Sequence, residues 1–308
     1  MFKQQKKLVF VIIATIALAM AVACYIKKPV RYAVFAGYNP DGTIHPYVIT
    51  YLKGLNEVAD GVVYVADSTL KPAEEEKLKQ LTIHYENVRH EEYDFGSYKR
   101  GYNWLKDNGY LEKADEIIFA NDSCYAPLTS FKPMFKAMAK RKDLDFWGDL
   151  KNIVFGWHIQ SYFMVFRKKI FNTAEFEVFL NFVLHQEYKM DYVIRYEVQL
   201  TRNLEKSGYK WDTYMPYKDM EMLLGYDKTF YPLTLAKNYG HQFIKKHVFS
   251  GDVALVEKVN ELLQYLKITS PTTYWDIIYD LSPKTLLTDL KESTIFASRV
   301  MSLIGYGG

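Results

Sequence analysis

Cysteine is scarce in this sequence of 308 residues, which contains only Cys24 and Cys124. Cys24 falls near the end of an apolar N-terminal segment, so Cys124 is alone in the rest of the chain. A disulfide framework or a cysteine-based metal site within the body of one chain is therefore excluded. The sequence also lacks a P-loop, a dinucleotide-binding fingerprint, a catalytic serine or cysteine motif, internal repeats and low-complexity segments.

Most of the chain carries no excess of basic charge. The formal net charge is +3, and Lys3, Lys6 and Lys7 stand before the apolar segment with no acid near them. Without these three, the 39 lysines and arginines fall to 36, which equals the number of aspartates and glutamates. Because phosphate backbones are bound by a basic surface, nucleic acid is not expected as the main partner.

The composition is that of a folded globular protein, with 49% hydrophobic and 24% charged residues. Aromatic residues reach 16%, including 26 tyrosines. Aromatic rings can stack on the apolar faces of sugars, but most of these side chains are expected to fill the core and interfaces.

The longest apolar run extends from Leu8 to Ile26 without a charged residue. As a helix rising about 1.5 Å per residue, it is long enough to cross the hydrocarbon core of a bilayer. An uncleaved single-pass membrane anchor is our first interpretation. A cleaved secretory signal, suggested by Ala21-Val22-Ala23, and a lipoprotein signal before Cys24 are the alternatives. Basic residues flank both ends of the run, so charge does not decide its orientation.

From residue 31 the sequence alternates short apolar strands with amphipathic helices. The predicted strands are Tyr32–Ala36, Val62–Ala66, Thr82–Tyr85, Glu116–Ala120 and Ser161–Phe166. The predicted helices include Glu74–Leu81, Tyr98–Leu105, Glu175–Gln186, Tyr192–Lys206 and Val253–Leu266. This alternation indicates βαβ units and therefore an α/β fold with a mostly parallel sheet flanked by helices.

Three parts are predicted along the chain: a membrane anchor or signal at 1–30, an α/β domain at 31–250, and a helical C-terminal extension at 251–308. The chain after Lys210-Trp211 is expected to be irregular before it becomes helical again. In the extension, Ser282-Pro283 has the residues of a helix start. An apolar stripe from Leu286 to Val300 follows, which would pack on the body or lie on a membrane.

Polar residues follow several of the predicted strands, namely Asn39, Asp41, Asp67 and Asp122. Ligands of open α/β sheets bind beyond the carboxyl ends of the strands. We therefore expect the ligand site at this edge of the sheet.

A set of short motifs occurs in order along roughly residues 31–249. They are Asn39-Pro40-Asp41-Gly42, His45-Pro46-Tyr47-Val48, Tyr93–Lys99, Ala120–Leu128, Asp145–Gly148, Gln160–Phe163 with Arg167, Arg195–Val198 with Thr201, Asn238–His241 and Phe243–Lys245. Each motif alone is unspecific, but the ordered set resembles the rhamnan synthesis protein F family. The resemblance implies a GT-A-like fold and a bacterial glycosyltransferase of polysaccharide synthesis.

The resemblance also implies the reactants. The donor would be a nucleotide-sugar, a deoxysugar such as rhamnose carried by dTDP, and the acceptor a cell-surface glycan or a lipid-linked sugar. Because nucleotide-sugars are cytoplasmic, the anchor is expected in the inner membrane with the catalytic body on the cytoplasmic side.

The diphosphate of such a donor gains negative charge as its bond to the sugar breaks, so the site needs a divalent metal or cationic and backbone donors. In a GT-A-like fold an acidic motif after a strand holds the metal, and Asn121-Asp122-Ser123 stands at that place. Asp122 is therefore a predicted ligand of Mg²⁺ or Mn²⁺. His241, by its place in a family-like segment, is predicted as a metal or phosphate ligand, with Lys245 and Lys246 balancing the diphosphate; a structural hydrogen-bonding histidine is the alternative. With one carboxylate in the motif, a turn-capping role for Asp122 stays open.

The segment from Tyr93 to Lys99 follows a predicted strand and opens a helix. Asp94 is predicted to bind ribose or sugar hydroxyls, and Lys99 to face phosphate. The alternative for Asp94 is a helix N-cap. Asn39 and Asp67 complete the predicted donor site.

An inverting transfer needs a carboxylate that takes the proton of the acceptor hydroxyl. Glu197, which lies near Arg195 and one helical turn before Thr201, is the predicted base, and Asp191 is its rival. The alternative for Glu197 is a surface residue paired with arginine.

Two further classes of function stay open at this point. A non-catalytic glycan-binding or assembly protein of the same fold, held at the membrane, is favoured by the single carboxylate and the possible lipoprotein signal. A structural membrane adaptor is suggested only by the anchor and the C-terminal stripe.

Overall fold

The computed structural model describes residues 28–220, 223, 227–249 and 258–282. The strands are β1 (Arg31–Gly37), β2 (Gly61–Ala66), β3 (His84–Asn87), β4 (Glu116–Asn121), β5 (Cys124–Tyr125), β6 (Phe146–Gly148), β7 (Lys151–Asn152), β8 (His158–Ile159), β9 (Phe163–Arg167), β10 (Trp211–Thr213) and β11 (Ile244–Lys245). The α-helices are Pro46–Asn56, Pro72–Leu78, Tyr93–Asp107, Tyr110–Lys113, Lys132–Met138, Lys168–Phe171, Ala174–Asn181, Lys189–Tyr192, Gln199–Lys206, Pro232–Tyr239, Val259–Thr269 and Pro271–Asp280. These elements all belong to the unit of the chain that starts at Arg31.

The central sheet contains seven strands in the order β10, β6, β9, β4, β1, β2, β3. Neighbouring strands are parallel except at β9, which runs antiparallel to both β4 and β6. Every residue of β1, β2 and β4 is buried, as expected for parallel strands that are covered on both faces. The predicted α/β fold with a mostly parallel sheet is confirmed.

Helices cover both faces of β1. Phe35 contacts Tyr51 of the Pro46–Asn56 helix, with ring centroids 5.0 Å apart. The neighbouring residue Val34 lies against Gly101 of the Tyr93–Asp107 helix, where an added Cβ would come within 2.3 Å of Val34 Cγ1. Because consecutive strand residues point to opposite faces, these two helices lie on opposite sides of the sheet. Gly101 allows the second helix to approach closely.

Two local predictions differ from the structure. The helix predicted at Tyr98–Leu105 begins at Tyr93, which brings Asp94 into its first turn. The chain after Lys210 contains β10, which pairs in parallel with β6 at the sheet edge. This strand has only three residues, too few to show an alternating pattern in the sequence.

Two helices lie in the described part of the predicted C-terminal extension. The Val259–Thr269 and Pro271–Asp280 helices follow one another, and the second packs on the body. Its Thr273 hydroxyl donates to the carbonyl of Pro127 at 3.1 Å, and Tyr125 donates to Asp280 Oδ2 at 2.6 Å.

The predicted anchor at Leu8–Ile26 and the stripe at Leu286–Val300 lie outside the described residues. Within the described ranges, no helix combines the length and apolar character that crossing a membrane requires. The proposed part boundaries at residues 30 and 250 stay predictions.

Candidate functional site

The carboxyl ends of β1 and β4 are joined through Asp122. The backbone N–H of Tyr38 donates to Asp122 Oδ2 at 2.7 Å, and the N–H of Asp122 donates to the carbonyl of Ala36 at 3.1 Å. These bonds place the Asp122 carboxylate at the edge where ligands of such sheets bind.

Asn121, the last residue of β4, links the strand to the Tyr93–Asp107 helix. Its Nδ2 donates to Asp94 Oδ2 at 2.6 Å, while its Oδ1 accepts from the hydroxyl of Ser123 at 2.6 Å. Glu92 occupies the N-cap position of the helix without a capping bond from its side chain, and Asp94 lies in the first turn, so the alternative role of Asp94 as the N-cap is wrong. Asn121 thus holds Asp94 and Ser123 beside Asp122.

Two lysines are brought to the same edge by a short antiparallel pairing. In the two-stranded sheet of β5 and β11, Lys245 pairs with Cys124, and the N–H of Lys246 donates to the carbonyl of Ser123 at 2.9 Å. Lys245 Nζ lies 4.8 Å from the centroid of the Tyr162 ring, a cation–π contact.

Lys246 connects this edge to the C-terminal helix. Its Nζ donates to the Tyr47 hydroxyl at 3.0 Å and lies 3.6 Å from Asp280 Oδ2. Asp280 also contacts His45 Nδ1 and accepts from Tyr125. The His45-Pro46-Tyr47 motif therefore orients Lys246 through a half-buried hydrogen-bond network.

Glu197 faces the same space from the second half of the chain. It lies in a π-helical segment, Val193–Val198, a local irregularity that is frequent at functional sites. Its Oε1 lies 3.2 Å from His158 Nε2, and its Oε2 accepts from the Ser161 hydroxyl at 2.5 Å. Both carboxylate oxygens are therefore engaged, and Glu197 is not the arginine-paired surface residue of the alternative.

The carboxyl groups of this cluster differ in acidity. Burial, together with the charges of Asp122 and Glu197, raises the pKa of Asp94 to about 7 against the opposing charge of Lys189 and Lys245. Burial acts on Glu197 as well, but hydrogen bonds from its partners and the charge of Lys245 outweigh it and lower the Glu197 pKa. Neighbouring carboxyls whose pKa values are pushed apart are typical of acid–base sites.

Burial also raises the pKa of Asp122, although the charge of Lys246 and the hydrogen bond from Tyr38 oppose the rise. Two buried carboxylates in one place, Asp94 and Asp122, disfavour each other's charge. A cationic ligand or a positively charged side chain at this edge would relieve that repulsion.

Asp227 and His247 belong to the site and were missed by sequence reasoning. Asp227 accepts from Thr229 and from Gln160 Nε2 at 3.2 Å, and its pKa is lowered because hydrogen bonds and Lys245 outweigh burial. Burial and then the charge of Lys245 lower the pKa of His247 to about 4, so its imidazole is neutral at pH 7. The sequence signal for Asp227 is an aspartate two residues before a threonine. This pattern is common at turns and therefore does not indicate a site.

Two predicted residues, Asp67 and Asn39, are engaged in structural bonds. Asp67 accepts from the N–H groups of His90 and Glu91, both at 2.8 Å, and so fixes the loop after β3. Asn39 bonds Thr43 and the N–H of Asp41 within its own turn. Their roles in donor binding stay predictions.

Lys99 donates to the carbonyl of Val183 at 2.7 Å and pairs with Glu92 at 2.6 Å. Asp191 lies half-buried in the Lys189–Tyr192 helix. Asp94 and Glu197, in contrast, interact electrostatically with each other. The structure therefore groups Asp94, Asn121, Asp122, Ser123, Glu197 and Lys245, and leaves Lys99 in an ion pair.

His241 lies in the core. It is 3% exposed, and its Nε2 lies 2.6 Å from Oδ2 of Asp149, which is fully buried and also accepts from Tyr162 at 2.5 Å. The described residues contain no group of three or more His, Cys, Asp or Glu side chains arranged to hold a metal ion. The predicted pairing of His241 with Asp122 on one metal stays a prediction, and it would require His241 to leave Asp149.

Asp122 on its own fits a magnesium-type ion better. Mg²⁺ keeps several waters and is commonly held by one or two carboxylates together with substrate phosphates. The carboxylate of Asp122 supplies the oxygen ligand that such an ion prefers.

The fold and the site define an α/β protein with carboxylates and lysines gathered at the carboxyl edge of a mostly parallel sheet. The family profile described as rhamnan synthesis protein F matches residues 62–290, which is well over half of the chain. The chain belongs to this family, and the resemblance predicted from its motifs is confirmed.

One curated relative, the uncharacterized protein y4gN of Sinorhizobium fredii (strain NBRC 101917 / NGR234), is 24% identical over 191 residues. The match covers 59% of this chain and 48% of the relative. The chain therefore spans about half the length of the curated relative that it matches.

Several solved structures show weak similarity. The core-mannan synthase A of Aspergillus fumigatus, in a Mn/GDP form, is 10% identical with a TM-score of 0.36, covering 58% of this chain and 72% of that chain. The glucosyl-3-phosphoglycerate synthase of Mycobacterium tuberculosis, in complex with phosphoglyceric acid, is 11% identical with a TM-score of 0.34, covering 59% and 81%. Similarity at this level carries no function over to the chain.

Proposed function

We propose that this protein is a glycosyltransferase with a GT-A-like fold that moves a sugar from a nucleotide donor to a glycan or lipid-linked acceptor. The observation that carries the proposal is the cluster of Asp94, Asp122, Glu197 and Lys245 at the carboxyl edge, in a chain of the rhamnan synthesis protein F family. Membership in that family supports rhamnose, or a related deoxysugar on dTDP, as the sugar.

The donor's diphosphate would lie against Lys245 and Lys246. Both side chains reach the edge from the β5–β11 pairing, and Lys246 is oriented by Tyr47 and Asp280. Preorganised positive charge at a developing diphosphate stabilises the transition state without reorganisation during the reaction.

We assign acceptance of the acceptor proton to Asp94 in preference to Glu197. A base works best when its pKa lies near the working pH, and the pKa of Asp94 is about 7. Glu197 is held by His158 and Ser161, and its pKa is lowered, which makes it the weaker base of the two. Its negative charge instead contributes to the raised pKa of Asp94.

A divalent cation, Mg²⁺ or Mn²⁺, would be held by Asp122 together with the donor's diphosphate. The ion would supply positive charge to the leaving diphosphate. Held mainly by Asp122 among protein side chains, it would bind tightly only when the nucleotide is present.

The catalytic body is proposed to lie on the cytoplasmic side of the inner membrane, where nucleotide-sugars are made. A non-catalytic glycan-binding protein is the second candidate. The observation that favours it concerns metal binding. The described residues contain no group of three or more His, Cys, Asp or Glu side chains that could hold a metal ion.

The test is to incubate the purified full-length chain with dTDP-rhamnose, other nucleotide-sugars and rhamnose-containing acceptors, with Mg²⁺ or Mn²⁺ present. Release of nucleoside diphosphate and a lengthened acceptor are expected with at least one donor. Absence of donor binding and turnover with every donor would leave the glycan-binding candidate in its place.

A further inference from the structure

A groove of about 730 Å³ runs beside the edge strand β10, apart from the cluster of Asp94 and Asp122. Aromatic side chains from separate segments line it, among them Trp157, Trp211 and Tyr217. Trp157 is 41% exposed, and its ring meets that of Tyr217 edge-on with centroids 4.9 Å apart. Exposed aromatic rings in a concave surface present flat apolar faces to a ligand.

The groove carries a small excess of positive charge. Its lining has Arg141, Lys151, Lys210 and Lys218 against Asp143 and Glu205, and Asp212 pairs with two of these cations from beside it. Lys151 Nζ lies 5.8 Å from the ring centroids of both Trp157 and Trp211 and pairs with Asp212 at 3.2 Å. Arg141 pairs with Asp212 and Asp143, each at 3.2 Å. Because Arg141 and Lys151 are matched by carboxylates, the remaining excess does not amount to the dense positive surface that selects a polyanion.

We propose that this groove binds the acceptor glycan, with a pyranose ring stacked on Trp157. A pyranose has an apolar C–H face and a rim of hydroxyls that both donate and accept hydrogen bonds. The aromatic walls match the face, and the paired lysine, arginine and carboxylate groups match the rim. The inference rests on the proposed transferase function and assigns its acceptor a place.

The β7–β8 hairpin connects the groove to the candidate site. Lys151 of β7 and Trp157, the residue before β8, line the groove. The next residue, His158, lies 3.2 Å from Glu197 through its Nε2. Trp157 of the groove and His158, which holds Glu197, are therefore consecutive residues of one hairpin.

The test compares Trp157→Ala with Trp275→Ala in the full-length chain. Trp275 is 61% exposed and lies in the Pro271–Asp280 helix, so it controls for removal of a surface tryptophan. Binding of short, neutral rhamnose oligosaccharides is measured by isothermal titration calorimetry. We expect Trp157→Ala to bind the oligosaccharide about tenfold more weakly or worse, as for an aromatic anchor that the ligand covers. Trp157→Phe should recover part of the affinity. Trp275→Ala should match the wild type.

Nucleotide affinity, measured on the same preparations, shows that each variant is folded. Equal oligosaccharide affinity in Trp157→Ala and wild type would overturn the inference. So would binding that prefers acidic glycans and disappears in high salt, because that is the behaviour of a polyanion site. Trp157-dependent glycan binding without turnover of any donor would support the groove and count against the transferase.

Discussion

Asn121 donates to Asp94 over 2.6 Å and so ties the end of the central strand β4 to the first turn of the Tyr93–Asp107 helix. A hydrogen bond to a carboxylate favours its ionised form, whereas burial and nearby negative charge disfavour it. For Asp94 the disfavouring effects are the stronger ones: burial first, then the charge of Asp122, raise its pKa to about 7. The bond from Asn121 acts against this rise and holds the carboxyl at the edge of the sheet.

Replacing Asp94 by Asn should reduce sugar transfer by roughly 100-fold or more, because a general base contributes on that order. In the wild type, kcat/KM should fall as the pH drops through the pKa of Asp94, which is about 7 without a cation at Asp122 and lower with one, since Asp94 must be ionised to accept a proton. The measurement is release of nucleoside diphosphate across the neutral range, with Asp191→Asn as the matched control. If Asp94→Asn kept the wild-type rate, or if only Asp191→Asn lost activity, Asp94 would not be the base, and the role would return to Asp191.

Glu197→Gln should lower the free energy of unfolding at pH 7 by about 1–3 kcal/mol, because the amide loses charge-assisted bonds to His158 and Ser161. The folded pKa of Glu197 lies below its ordinary value. Its ionised form therefore stabilises the fold above the ordinary glutamate pKa, and this contribution is lost as the pH falls through the folded pKa.

Urea unfolding at a series of pH values measures this effect. Glu187→Gln, at an exposed position, is the control and should unfold like the wild type. A difference between Glu197→Gln and wild type that stayed constant down to acid pH would show that packing, and not charge, is what the substitution changes.

The strands β1, β2 and β4 and the polar residues after them could be predicted from the sequence. Each strand is a run of apolar residues that ends in a polar turn, and all the information is local. Because parallel strands share one carboxyl edge, Asp122 could be placed there without a structure.

What the sequence could not show were contacts between distant segments. Lys245 reaches the edge because β11 pairs with β5, more than a hundred residues earlier. His241 was predicted as a metal ligand on its place in a motif, but Asp149 meets it in the core. Neither the pairing nor the burial leaves a periodic signal along the chain.

Lys245→Met should weaken nucleotide binding by about tenfold to 100-fold, because a charge-assisted contact to phosphate is lost. The charge of Lys245 also lowers the pKa of Asp94. Its removal should therefore raise that pKa and move the acid limb of the pH–rate profile to higher pH. Lys245→Arg should retain most of the affinity, and Lys113→Met, at an exposed position, should change neither quantity.

Both readouts are needed for Lys245. If nucleotide affinity fell without any change in the pH profile, the lysine would bind phosphate but would not influence the base. An unchanged affinity would contradict its place in the donor site.

Asp122→Asn should weaken Mn²⁺ binding by about tenfold or more in the presence of nucleoside diphosphate, because it removes the carboxylate that is proposed to hold the ion. His241→Gln should leave that affinity unchanged, since His241 Nε2 already contacts Asp149 in the core. Instead it should lower the free energy of unfolding by roughly 1–3 kcal/mol, because a buried carboxylate loses a partner. Electron paramagnetic resonance titration of Mn²⁺ and urea unfolding measure the two effects. If His241→Gln instead lost Mn²⁺ affinity at unchanged stability, His241 would be a metal ligand after all. The Asp149–His241 contact would then have to open when nucleotide binds.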